Sequence, residues 1–276
     1  MWTDAWTDTT VGLALRAAVD RYGNREAFVF PNARVGFRDL QAAADEVSHA
    51  FLALGVARGD RVAIWMAGYA EWAHLYFGLA QIGAVMVPLN TRYKRSELEY
   101  VLDRSQARLL VFRDEVSGGK EYAAVLAEVS RPPSLEYVIA ITDRTLTDVM
   151  PYARFLSGAA SVTPTRLRQA MAQVQSQDVA IVQFTSGTTA FPKGAQLFQQ
   201  AMLRGAAACT RITRLSATDR FFSPQPFYHA GGSILVMLSP IVTGCTVVVQ
   251  AYFDPVEALR LMVDERCNVT MGHQPH

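Results

Sequence analysis

The sequence predicts an α/β fold: two lobes of mainly parallel sheet with helices on both faces. Three observations predict it. Short apolar runs alternate with segments of helical period along most of the chain, and strands that alternate with helices build parallel sheets. The apolar runs are near-continuous, as in strands buried on both faces. Half of the 276 residues are hydrophobic, enough for a substantial core.

Taken in order, "LALRAAVDRY" reads as a helix, with strands at "EAFVF" and "RVGF". "RDLQAAADEVSHAFLALG" places Leu40, Ala44, Val47, Phe51 and Leu54 on one helical face and stops at Gly55. "GDRVAIWMA" is a turn and a buried strand, "EWAHLYFGLAQIG" a helix ending near Gly83, and "AVMVPL" a second buried strand. The helix "SELEYVLDRSQ", with Ser96 as its candidate cap, leads to the strand "RLLVF". A weaker helix around "KEYAAVLAEV" and the strand "EYVIAI" follow. Residues 143–177, rich in Thr, Ser, Arg and Gln, read as a connection between subdomains. Beyond them come the strand "DVAIVQF", a helix from Gln196, the helix "GSILVMLSPIV", the strand "CTVVVQ", the helix "PVEALRLMVDE" and the strand "NVTM". The expected division is an amino-terminal lobe, 1–165, and a second lobe, 166–276.

Charge and cysteine usage narrow the function classes. With 26 Lys+Arg against 25 Asp+Glu and no basic block, nucleic acid is not an expected partner. Cys209, Cys245 and Cys267 form no C-x-x-C pair, which argues against a disulfide framework or structural zinc and suits a reducing cytosol. The opening residues lack a basic stretch followed by an apolar one, so no signal peptide is read. Residues 221–253 carry no Asp, Glu, Lys or Arg, and length alone would permit a membrane span. Pro240, Gly244 and a β-branched second half favour a buried helix, a turn and a buried strand, leaving at most peripheral membrane contact. His273 and His276, three apart at the chain end, are not read as a metal pair.

The stretch "QFTSGTTAFPKGAQL", residues 183–197, carries the chemistry. It follows a strand, and α/β proteins bind ligands at the carboxyl ends of parallel strands. Thr185, Ser186, Thr188 and Thr189 offer hydroxyls, and Gly187 lets backbone N–H groups converge on an anion. Lys193 adds a mobile point charge suited to a phosphate oxygen, and a helix from Gln196 would add its positive end. By composition alone the stretch is equally a solvated Ser/Thr/Gly turn. It is not a Walker A box, since the G-x-x-x-x-G-K-[ST] order is missing.

Thr185 to Gly194 resembles the T-S-G-T-T-G-x-P-K-G loop of the adenylate-forming superfamily of acyl-CoA synthetases, luciferases and peptide-synthetase adenylation domains. The chain departs from it at Ala190, where the family has glycine. Residues 59–111 are similar to the family's amino-terminal lobe, although bottom-up they are mostly core, turns and caps. "PQPFYHAGG", residues 224–232, is similar to the family's proline–aromatic–His–x–x–Gly motif; read alone, His229 is as well a core histidine at the start of an apolar helix.

The resemblance implies the large amino-terminal domain of such an enzyme, incomplete at its C-terminal end. It also implies ATP, Mg²⁺ and coenzyme A. A carboxylate would attack the α-phosphorus of ATP to give an acyl-adenylate and pyrophosphate, and the thiol would then displace AMP. Thr185, Ser186, Gly187, Thr188, Thr189 and Lys193 would hold the phosphates, with Thr185 a magnesium ligand. His229 would border the acyl pocket and the reacting carboxylate, in an orienting or gating role as readily as an acid–base one. Gly231 and Gly232 would let backbone and ligand approach closely. The branch resembled most is that of acid–CoA ligases acting on fatty or related hydrophobic acids.

The family's Y-G-x-T-E and T-G-D segments, and the small domain bearing a catalytic lysine, do not occur in residues 1–276. The expectation is therefore an amino-terminal portion that forms little acyl-adenylate alone. The alternative is a catalytically incompetent nucleotide- or acyl-binding module, or half of a split enzyme with a complementing C-terminal chain.

Overall fold

The computed structural model describes residues 6–117, 120–185 and 192–272. The chain opens with α1 (Val11–Tyr22), the hairpin β1 (Glu26–Val29) and β2 (Arg34–Gly36), and α2 (Phe37–Ala53). A run of β3 (Arg61–Trp65), α3 (Ala70–Gln81), β4 (Val85–Pro88), α4 (Arg95–Ser105) and β5 (Leu109–Arg113) follows. Next come the small hairpin β6 (Val116–Ser117) and β7 (Lys120–Glu121), α5 (Tyr122–Ala127) and β8 (Tyr137–Ile141). Then come β9 (Met150–Pro151), α6 (Tyr152–Ser157), α7 (Pro164–Gln173), β10 (Val179–Thr185), β11 (Lys193–Phe198) and α8 (Gln199–Ile212). The last elements are β12 (Arg220–Ser223), a π-helical turn (Gly231–Val236), α9 (Met237–Thr243), β13 (Thr246–Val249), α10 (Pro255–Asp264) and β14 (Val269–Thr270).

Two sheets result. The seven-stranded one has the order β11-β10-β4-β3-β5-β8-β9 and is parallel except at β11. The five-stranded one has the order β14-β12-β13-β1-β2 and is parallel except at β2. The alternation of strands and helices thus gives the α/β architecture expected of it. The sheets do not follow a division at residue 165. Such a cut would part β10 and β11 from the sheet they extend, and β1 and β2 from theirs. Strand pairing, unlike chain order, joins segments far apart in sequence.

The two-residue period of a strand sends alternate side chains to opposite faces. In β3, Val62 and Ile64 enter the core shared with the helices between the sheets, while Ala63 and Trp65 enter the core under α4 and α5. Residues of α1, α2, α3, α8 and α9 share that middle core with Phe28, Phe221, Val247 and Val249 of the five-stranded sheet. On that sheet's outer face Val29, Phe222 and Val248 meet Ala258, Leu261 and Met262 of α10. The layers therefore run helix, sheet, helix, sheet, helix. At the margin of the five-stranded sheet, Arg34 and Arg220 each bond both Glu26 and Glu265, closing a ring of alternating charge.

Being shared, the middle layer is crowded. A Cβ on Gly12 would lie 2.5 Å from the Gln81 Cβ, and one on Gly78 would lie 2.7 Å from a Val47 methyl, so glycine sets the approach of α1 and α2 to α3. Several polar groups inside are paired: Ser48 donates to the Ala44 and Gly78 carbonyls at 2.8 Å, and Gln81 donates to Asp45 and Ser48, whereas the Trp72 indole N–H and the Tyr76 hydroxyl are buried without a hydrogen-bond partner among the described residues. Gln199, fully buried, accepts from the Val11 N–H in the first turn of α1 (2.9 Å) and donates to the Ala80 carbonyl at the end of α3 (2.9 Å).

Three local expectations change. The helix placed from Gln196 starts at Gln199; Lys193–Phe198 is instead an edge strand, antiparallel to β10 from Thr185↔Lys193 to Val179↔Phe198. A short, mostly exposed edge strand carries too little apolar period to be read. Ser96 is not the cap of α4, since the Glu97 carboxylate accepts from the Lys94 N–H (2.7 Å) and the helix begins at Arg95. Residues 143–177 are not a mere connection: Phe155 of α6 packs on Phe51 of α2 with ring centroids 4.8 Å apart. Pro240 lies within α9, which ends at left-handed Gly244. The π-wound turn before it already departs from the i→i−4 ladder that a proline interrupts.

Gln199→Leu leaves the buried Val11 N–H without its acceptor. The expected loss is about 1–3 kcal/mol of stability, read by urea unfolding.

Candidate functional site

The parallel strands β3, β4, β5 and β10 end on one edge of the seven-stranded sheet, and Thr185 and Lys193 lie there. Thr185 is the last residue of β10 and Lys193 the first of β11; they face each other across the hairpin, both exposed. The Thr185 hydroxyl donates to the Lys193 carbonyl at 3.4 Å. Ser186, Gly187, Thr188, Thr189 and Ala190 lie outside the described residues. What the structure supplies is the pair of strands that deliver them. With β11 in between, α8 begins six residues beyond Lys193, so its dipole is not aimed at the loop as a helix from Gln196 would have been.

Two side chains tie this hairpin to its surroundings. Tyr100 of α4 donates to the Pro192 carbonyl at 3.2 Å, anchoring the return strand. Gln183 of β10, 6 % exposed, donates to the Tyr228 carbonyl at 2.6 Å, which brings the segment before His229 against the loop-bearing strand. His229 is exposed, so the reading as a core histidine is set aside. Its carbonyl accepts from the Gly232 N–H (2.9 Å), the Ser233 N–H (2.8 Å) and the Ser233 hydroxyl (3.1 Å), which fixes the turn.

Gly231 and Gly232 allow a close approach within the protein. A Cβ on Gly232 would sit 2.3 Å from the Pro226 carbonyl oxygen, and one on Gly231 would sit 2.9 Å from the Gln225 side-chain oxygen. The π-helical turn is therefore laid directly over the Pro226–Phe227 backbone. Farther along the same helical run, Leu235 and Ser239 line a cavity of about 120 Å³ with Thr210, Leu215, Phe221 and Val269.

Several residues of this edge carried no motif. Trp65 and Tyr122 stack at 4.2 Å, Trp65 donates to the Asn90 carbonyl, and Tyr122 donates to the Thr91 carbonyl. Burial, then the charges of Glu97 and Tyr228, push the Tyr93 phenol up to about 12, so it stays a neutral donor. Nearby, Tyr252 beyond β13 donates to Glu115 beyond β5 at 3.1 Å, and Arg113 pairs with Glu71 (3.0 Å) and Glu115 (3.2 Å). The Tyr252–Glu115 bond joins the segments beyond β13 and β5, one from each sheet, and Arg113 links the end of β5 to α3. Their one sequence signal was position, just past the carboxyl end of a buried strand.

Among the described residues no group of three or more His, Cys, Asp or Glu could hold a metal ion, and no helix is long and apolar enough to cross a membrane. The oxygen at the hairpin is the neutral Thr185 hydroxyl. That fits a single ligand to an ion carried in on phosphates, not a protein-built metal cage.

A family model for AMP-binding enzymes matches residues 15–274. The chain belongs to the AMP-binding enzyme family. Relatives of this AMP-binding chain include the acyl-CoA ligase sidI of Aspergillus fumigatus, 30% identical over 96% of this chain and 46% of that protein. Another is the medium-chain fatty-acid–CoA ligase of Escherichia coli K12, 27% identical over 100% and 47%. A fatty acyl CoA synthetase structure from Mycobacterium tuberculosis superposes with a TM-score of 0.77 at 25% identity, over 95% of this chain and 48% of that one. The chain spans about half the length of the curated relatives it matches.

Burial raises the Glu115 carboxyl above the usual carboxylate range, against the opposing pull of Tyr69, Tyr252 and Arg113. A carboxyl raised on folding binds more protons folded than unfolded, so its ionisation lowers stability as pH climbs from the ordinary carboxylate range through the raised value. Glu115→Gln removes that contribution. Urea unfolding across acid to neutral pH is expected to show a flatter fall in stability for the variant than for the parent.

Proposed function

We propose that the chain is the nucleotide- and acid-binding portion of an AMP-forming acid–CoA ligase acting on a fatty or related hydrophobic carboxylic acid. The observation that supports this is the hairpin β10–β11: Thr185 ends one strand and Lys193 begins the next at the carboxyl edge of a parallel sheet, with Gln183 tying the hairpin to the His229 turn. Membership of the AMP-binding family and the acid–CoA ligases among the relatives support the same reading.

The reaction brings a carboxylate to the α-phosphorus of ATP, and like charges oppose that approach. Positioning and cations must therefore supply most of the rate. Thr185, Ser186, Gly187, Thr188 and Thr189 would bond the phosphates, and Lys193 would hold the departing pyrophosphate as a point charge. Mg²⁺ would add charge neutralisation on the phosphates, with the Thr185 hydroxyl as its one ligand from the described residues. His229, exposed at the head of its turn, would border the reacting carboxylate. The apolar cavity beside Leu235 and Phe221 is in keeping with a hydrophobic acid. Coenzyme A would take the acyl group from the adenylate through its thiol.

The chain spans about half the length of its relatives.

Equilibrium binding of ATP with Mg²⁺ to the chain and to Lys193→Ala tests the phosphate site. The variant is expected to bind about tenfold more weakly, equivalent to about 1.4 kcal/mol. Equal affinity would remove Lys193 from the site. Binding abolished by adding an acyl-sulfamoyl adenosine would place the acid and the nucleotide in one cleft.

A further inference from the structure

Gln183 occupies an unusual place. It sits on β10 two residues before Thr185, on the strand face that Ile181 turns into the middle core, and only 6 % of it is exposed. An apolar side chain is the ordinary occupant of such a position, and a buried amide is retained at a cost unless it is bonded. Its Nε2 donates to the Tyr228 carbonyl at 2.6 Å, a contact between residues 45 apart in sequence.

Tyr228 stands immediately before His229. The next bonds along the chain are local: the His229 N–H to the Pro226 carbonyl, and the Gly232 and Ser233 N–H groups to the His229 carbonyl. Those bonds shape the turn, and buried Phe227, its ring centroid 4.9 Å from that of Trp72, seats it on α3 without referring it to β10. The Gln183 amide is what refers the turn to the strand that ends in Thr185.

We propose that Gln183 is a positioning residue, whose amide–carbonyl bond to Tyr228 holds the His229 turn in register with the phosphate-loop hairpin. The acid side and the phosphate side of the site are then set by one buried bond rather than by two independent loops. This rests on the reading of Lys193 and His229 as two sides of one site, but the bond itself is tested without ligand.

Hydrogen exchange at single amides measures it, in the chain and in Gln183→Met, which keeps length and loses the donor. The amides of His229, Gly232 and Ser233 are expected to exchange about tenfold faster in the variant, with those of Val62 and Leu110 unchanged. Unchanged exchange at the three amides overturns the proposal. Should Gln183→Met loosen the whole chain, Gln183→Glu decides. Its carboxyl donates only when protonated, so protection at the three amides, corrected for intrinsic rate, should fall with rising pH and return on acidification. Protection that ignores the introduced carboxyl's proton overturns the proposal.

A second arm adds ATP with Mg²⁺. It is expected to slow exchange at Thr185 and His229 together in the parent, and at Thr185 alone in Gln183→Met. If it slows neither in the parent, the nucleotide reading fails, and the ligand-free comparison still decides the role of Gln183.

Discussion

The structure depends on a constraint of geometry: one layer of helices has to serve two sheets at once. A helix on a single sheet keeps a polar face for water, but one between two sheets has none to spare. α3 meets this condition almost fully, with ten of its 12 residues buried. Two consequences follow in the sequence. Crossings are set by Gly12 and Gly78, where any side chain would collide with a neighbour. The side chains of Gln81, Ser48 and Gln199, buried among these helices, are held by backbone groups, by Asp45 and by one another, since an unpaired buried group costs stability.

The same layer places the site. β10 borders the helical layer, and the π-helical turn leads into α9, which is part of it. Loops from two different sheets therefore reach a common region without belonging to one supersecondary unit. The bonds from Tyr252 to Glu115 and from Gln183 to Tyr228 both cross from one sheet's connections to the other's. A cleft made this way has walls with separate supports, which suits a reaction that must hold two anionic reactants close together.

Much of the architecture was legible because buried strands and amphipathic helices leave periodic marks. Leu40, Ala44, Val47 and Phe51 mark the inner face of α2, and the strands β1, β3, β4, β5, β8, β10 and β13 are apolar enough to stand out. Two kinds of feature were not legible. β11 is an edge strand whose residues mostly face water, so Gln196 to Phe198 carried no strand signal and merged with the helix after them. The sheet membership of β1 and β2 depends on Phe28 meeting Val247, a long-range pairing that no local pattern encodes. At the site, Thr185, Lys193 and His229 were visible as chemistry in a motif. Gln183 and Tyr100 were not, because their work lies in the backbone carbonyls they meet.

The pairing of β1 with β13 has a consequence for how the molecule is made. The strand at Glu26–Val29 leaves the ribosome long before its parallel neighbour at Thr246–Val249. Until then the nascent hairpin of β1 and β2 has one flank with nothing to bond, and its phenylalanines have no partner sheet. The segment from β3 to β8 can close meanwhile, since each of its strands finds a neighbour nearby in the chain. Assembly can thus close the segment from β3 to β8 first, while the earliest strand waits for a partner made much later.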